Sequence, residues 1–113
     1  MTLRFEPDRV LYDPQERLLR LFATDGVMLV RCAVSKAALT ALEDDALAGP
    51  HAMIITYRRN REQIQAIAQR KYRHRWFEPG GDLIVRLEDV DAQRLRASVA
   101  GSVVQRNALA PPV

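Results

Sequence analysis

The chain is poor in the residues that most often carry chemistry. It has one cysteine, two histidines, one tryptophan and five glycines in 113 residues. A single cysteine, Cys32, excludes an intramolecular disulfide. His51 and His74 form no His-x-x-x-His pair and there is no Cys-x-x-Cys, so a zinc site would have to be collected from distant residues. Gly80-Gly81 precedes a strand, the wrong order for a helix N-terminus to meet a phosphate. No apolar run reaches membrane length, because the longest, residues 27–34, is broken by Arg31. Residues 1–7 lack the apolar centre of a secretory signal, so a cytoplasmic location without membrane contact is expected. Aromatics make up only 6%, and the core must rest on Leu, Val, Ile and Ala.

What is present is an ordinary globular composition, 48% apolar and 27% charged, too apolar for disorder. A chain of this length forms one domain and buries about two-thirds of its unfolded surface, so it needs neither disulfide nor metal to fold. The net charge is +3 but uneven. Residues 57–75 hold Arg58, Arg59, Arg61, Arg70, Lys71, Arg73 and Arg75 against Glu62 alone, while the rest of the chain is net acidic.

Residues 17–23 and 27–34 read as strands around the turn signal Thr24-Asp25-Gly26. A two-residue turn at Asp25-Gly26 would set Phe22 opposite Leu29 and Arg20 opposite Arg31. One face then carries Leu19, Leu21, Met28, Val30 and Cys32 as core. The other carries Leu18, Phe22, Val27 and Leu29 around two arginines, which would repel unless a carboxylate intervenes. Cys32, on the core side, is expected to be buried and unreactive.

Ser35 is a natural N-cap for a helix over about 36–43. A long helix over about 51–73, bent near Asn60, places Tyr57, Ile64, Ile67, Ala68 and Tyr72 on one side. Asn60 in mid-helix reads as a helix break, with Asn60 capping the second half and Gln63 three residues on as in a capping box, or as a polar contact that locks the helix to the sheet. Tyr12-Asp13-Pro14 starts a turn, residues 82–88 read as a strand, and Leu95, Val99 and Val103 mark a last helix over about 91–104. The fold class is α+β: a small, mainly antiparallel sheet built on the hairpin, a long amphipathic helix on one face and a C-terminal helix. Residues 1–91 form the domain and 92–113 a helical extension with a frayed tail.

This pattern resembles a family of short bacterial proteins known as the domain of unknown function numbered fourteen-eighty-eight. The matching pieces are Arg4-Phe5-Glu6-Pro7, Tyr12-Asp13-Pro14, the Asp25-Gly26 hairpin running into Cys32-Ala33-Val34-Ser35, and Asn60-Arg61-Glu62-Gln63-Ile64 with Ile67-Ala68 and Lys71-Tyr72. The resemblance covers about residues 3–91. It implies a compact α+β fold and supplies no activity, ligand or functional residue.

No spacing points to a nucleophile, a metal or a cofactor, and the acidic clusters Glu43-Asp44-Asp45 and Glu88, Asp89, Asp91 read as solvated. Two functional readings follow. The first is a non-enzymatic accessory or protein-interaction module. Its surface would comprise Leu18, Phe22 and Leu29, with Leu95, Val99 and Val103 covering that face in the same chain or across a homodimer. The second is a weak, sequence-independent nucleic-acid binder using Arg58, Arg59, Arg70, Arg73 and Arg75, with Tyr72 and Trp76 available to stack on bases.

Overall fold

The structure is a computed structural model and describes residues 2–43 and 49–96. The chain runs β1 (Arg4–Asp13), β2 (Leu18–Thr24), β3 (Leu29–Ser35), α1 (Lys36–Leu42), α2 (Pro50–Arg59), α3 (Arg61–Arg73) and β4 (Leu83–Val85). A fourth helix, α4, covers residues 87–96. The sheet has the order β1-β2-β3-β4. It is antiparallel through β3 and parallel between β3 and β4, a mixed sheet in an α+β fold. No helix among the described residues is long and apolar enough to cross a membrane.

The hairpin forms with a register two residues from the expected one: Thr24 pairs with Leu29, Phe22 with Arg31 and Arg20 with Ala33. The cause is Asp25, whose Oδ1 accepts the N–H groups of both Val27 and Met28 at 2.8 Å. That closes a wider loop than a two-residue turn. Side chains alternate with period two, so an even shift leaves the faces unchanged. Leu19, Leu21, Cys32 and Val34 do line the core, whereas Met28 is thrown out to 66% exposure in the loop.

Strand β1 is the element that the alternation did not reveal. Its paired residues Phe5 and Val10 face Ala23 and Leu21, so the stretch between them, with Pro7, bulges out. An edge strand tolerates a proline and charges there because one side needs no ladder bonds. Gln69 holds the start of β1: it donates to the Leu3 carbonyl at 2.6 Å and accepts the Leu3 N–H at 2.9 Å.

Helices α2 and α3 bury the expected stripe, Tyr57, Ile64, Ile67, Ala68 and Tyr72, against the sheet. They are two helices, broken at Asn60 as the helix-break reading expected. The Asn60 side chain makes no capping bond to α3; it donates to the Thr56 carbonyl at 2.8 Å and to Glu43 at 3.2 Å. With its amide turned back towards the end of α2, the Asn60 oxygen accepts no N–H of α3, and the expected capping box is absent. Ser35 caps α1 as expected, its Oγ accepting from Ala38 N–H at 3.0 Å. Glu43 is not solvated, since it also meets Thr56 and Arg59 at 3.4 Å.

Strand β4 is shorter than expected and α4 begins earlier. The Asp89 carboxylate accepts the Arg86 N–H at 2.8 Å, half of a capping box, and this starts the helix where strand was expected to continue. Asp89 is therefore engaged as well, though still 24% exposed. Leu95 is 66% exposed; Val99 and Val103 lie outside the described residues. Cys32 is buried, and burial, with the Asp82 charge second, pushes its thiol up to about 12.

Candidate protein-interaction site

The outer sheet face is less available than its apolar content suggests. Leu18 is 3% exposed, packed with Ala33 and Ile84, so it offers no contact surface. Phe22 is half-covered, with the Arg9 guanidinium 4.3 Å above its ring. The two arginines of the hairpin are reconciled by Asp82, which meets Arg20 at 3.2 Å and Arg31 at 2.9 Å; Arg20 also meets Asp13 at 3.1 Å.

The apolar surface is concentrated instead at the hairpin tip. Val27, Met28 and Leu29 are 76%, 66% and 74% exposed. Apolar residues in solvent usually sit on mobile chain, yet this tip is tied down. Besides the two N–H bonds to its Oδ1, Asp25 accepts the Tyr72 hydroxyl on Oδ2 at 2.7 Å, which fastens the tip to the end of α3. The Met28 N–H, the Tyr72 hydroxyl and the Val27 N–H hold the Asp25 carboxyl down at about 2. A carboxylate lowered on folding from its ordinary 3.8 supports the native tip above about pH 4 and ceases to do so as pH falls through about 2. The Val27 and Met28 amide resonances should therefore titrate together near pH 2. A midpoint near pH 4 would contradict these bonds.

The end of α3 lies beside the tip. The Arg75 N–H donates to the Tyr72 carbonyl at 3.1 Å and the Trp76 N–H to the Lys71 carbonyl at 2.9 Å, the paired bonds of a Schellman motif. Its left-handed position is held by Arg75, at φ 58, where glycine is favoured. Phe77 packs edge-on against the Tyr72 ring at 6.2 Å, and Trp76 stacks on His74 at 4.5 Å. A concavity of about 230 Å³ is bounded by Met28, Leu29, Arg31, Tyr72, Arg75 and Phe77. A second, of about 330 Å³, lies towards Phe22, Arg20 and Asp82 and shares Leu29 and Arg31.

The five arginines singled out for anion contact are not brought together. Arg58 and Arg59 precede α3, whereas Arg73 ends it and Arg75 follows it, about 20 Å away at 1.5 Å per residue. Arg70 is half-buried, and Arg59 meets Glu43 at 3.4 Å. Lys71 is not on the basic surface at all: its ammonium is buried against Asp89 and the Ile84 carbonyl, both at 2.8 Å. Arg58, Arg59 and Arg61 do share a concavity of about 540 Å³ at the α2–α3 junction. Cys32, His51 and His74 are not assembled, and among the described residues no group of three His, Cys, Asp or Glu could hold a metal.

Sequence reasoning missed Arg75 and Phe77 as partners of the hairpin tip. A signal existed in the run after Tyr72, which ends a helix without a glycine and then places two aromatics before Pro79.

A small α+β domain with one helical layer on a mixed sheet is thus the class the geometry defines. The chain belongs to the family described as protein of unknown function (DUF1488), whose model matches residues 3–85. The match starts at Leu3 and ends on the last residue of β4, so α4 lies beyond it. A crystal structure of a protein of unknown function from the same family, from Shewanella loihica PV-4, superposes with a TM-score of 0.70 at 17% sequence identity, covering 74% of this chain and 91% of that one. At that identity the likeness speaks for the fold alone. No curated protein matches the chain.

Proposed function

We infer that the protein is a non-enzymatic accessory module that binds another protein, or a second copy of itself, through its hairpin tip. One observation carries this reading: Val27, Met28 and Leu29 are exposed together on a loop fixed by the Asp25 carboxylate and the Tyr72 hydroxyl. Preformed apolar surface lowers the ordering cost of association, which makes such residues effective contact anchors. A structural use of charge supports the reading further. Asp13, Asp82, Glu78 and Asp89 each meet an arginine or lysine of a neighbouring element. Leu95, 66% exposed on α4, is proposed as a second contact; Val99 and Val103, which the sequence spacing adds to it, lie outside the described residues.

Replacing Val27, Met28 and Leu29 by serine is expected to leave the melting temperature within about 2 °C of the parent, since exposed side chains contribute little to folding. The same variant should lose co-purifying protein or self-association. Retention of both would refute the tip as the contact.

The nucleic-acid reading keeps one support, the concavity shared by Arg58, Arg59 and Arg61. With about three phosphates contacted, affinity would fall with a log–log salt slope near −3. An apolar tip contact would hold its affinity as salt rises.

A further inference from the structure

We propose that an extended acidic segment of a partner protein docks at the tip by adding a strand to the open edge of β3. This rests on the interaction reading above and specifies how the partner is held. Strand β4 pairs only with Cys32, Ala33 and Val34. Over Leu29, Val30 and Arg31, β3 has no strand beside it among the described residues, although β2 continues along its other side. An edge of this kind presents backbone donors and acceptors to an incoming chain.

The surroundings suit a strand rather than a helix or a compact ligand. Successive side chains of an added strand point to opposite faces, and two concavities, of about 230 and 330 Å³, share Leu29, Val30 and Arg31, one reaching towards Tyr72 and Phe77 and the other towards Arg20 and Phe22. The first is lined by Met28, Phe77 and Arg75. The second offers the Phe22 ring and the Arg20–Asp82–Arg31 cluster.

Charge selects an acidic segment. Asp25 is engaged by Tyr72 and the loop amides, and Asp82 by Arg20 and Arg31. Arg31 also donates to the Gly80 carbonyl at 2.7 Å, so although it is 68% exposed the unpaired charge beside the edge is that of Arg75. Arg75 is exposed and meets no carboxylate among the described residues; its guanidinium lies 5.6 Å from the Tyr72 ring. Arg75 also occupies a left-handed position that glycine would fill with less strain. That position costs the fold some stability, as does the similar one at Arg17 in the β1–β2 turn, and it places the Arg75 guanidinium beside the open edge.

The test is an NMR titration of the full chain with an eight-residue peptide alternating Glu and Val. Its Lys/Val counterpart and the same Glu/Val peptide N-methylated at alternate residues serve as controls. The Glu/Val peptide should shift the amides of Leu29, Val30, Arg31 and Arg75. The Lys/Val peptide should bind about tenfold more weakly, and N-methylation should abolish the shifts. Arg75→Gly should raise the melting temperature by about 5 °C while weakening the Glu/Val peptide about fivefold; Arg75→Lys should retain most of the binding. Equal binding of the two charge types, shifts confined to the α2–α3 junction, or indifference to N-methylation would each overturn strand addition. If the serine variant of the tip loses its partner while the Glu/Val peptide fails here, the contact surface stands and the strand mode falls. If the serine variant keeps its partner, the surface itself is wrong.

Discussion

Tyr57→Ala is expected to destabilise the fold by about 4 kcal/mol, and Tyr57→Phe by about 1 kcal/mol. Tyr57 is the largest fully buried side chain, 1% exposed on α2 among the core residues of the sheet and α3. Its ring therefore contributes both transfer free energy and contacts that a collapsed cavity would not restore. Its hydroxyl accepts from Gln65 Nε2 at 3.2 Å across the α2–α3 break, a single neutral bond whose loss leaves a partly exposed amide that water can reach. For a domain of about 100 residues, the alanine change corresponds to a fall in melting temperature of about 20 °C. Thermal denaturation of both variants checks the ordering. Equal effects would mean that the hydroxyl, not the ring, carries the contribution.

Lys71→Met should cost about 2 to 3 kcal/mol despite placing an apolar side chain of similar volume at a buried position. The Lys71 side chain is 11% exposed and its ammonium bridges Asp89 to the Ile84 carbonyl. Removing it leaves a carboxylate that keeps the Arg86 N–H and a strand carbonyl that loses this donor. Breaking one side of a buried pair costs about 3 to 5 kcal/mol; Asp89 is 24% exposed, so water recovers part of that. The double change Lys71→Met with Asp89→Asn, which removes the unpaired charge and keeps an oxygen acceptor for the Arg86 N–H, should regain at least half of the loss. Chemical denaturation with an unchanged slope measures both. A neutral single variant would show that the ammonium is dispensable to the joint between α3, β4 and α4.

These two residues also mark how much the sequence disclosed. Tyr57 stood in an apolar stripe at helical spacing, and such a stripe reports burial directly. Lys71 stood in the same stripe, one turn after Ile67 and three residues after Ala68, but its charge placed it among the surface arginines. Spacing was the better guide than residue type. The core face of the hairpin was legible because period-two alternation survives an even register shift. Strand β1 was not, because an edge strand interrupted by Pro7 needs only its neighbour's ladder and carries no alternation of its own. The parallel pairing of β4 to β3 joins residues some fifty positions apart, and no local pattern encodes it. The candidate site fared similarly. Leu29 was identified from the sequence, Leu18 was lost to burial, and Arg75 came to the tip only through the fold of the α3 terminus.

The most direct measurement is site-specific photo-crosslinking in living cells, with a photoreactive residue placed at Met28 and, as control, at Ala66. Both positions are exposed, one on the tip and one on the outer side of α3. The account predicts one or two discrete adducts from position 28, lost when Val27 and Leu29 are changed to serine, and none from position 66. Adducts from position 66 alone, or the same adducts from both positions, would contradict a contact surface at the hairpin tip.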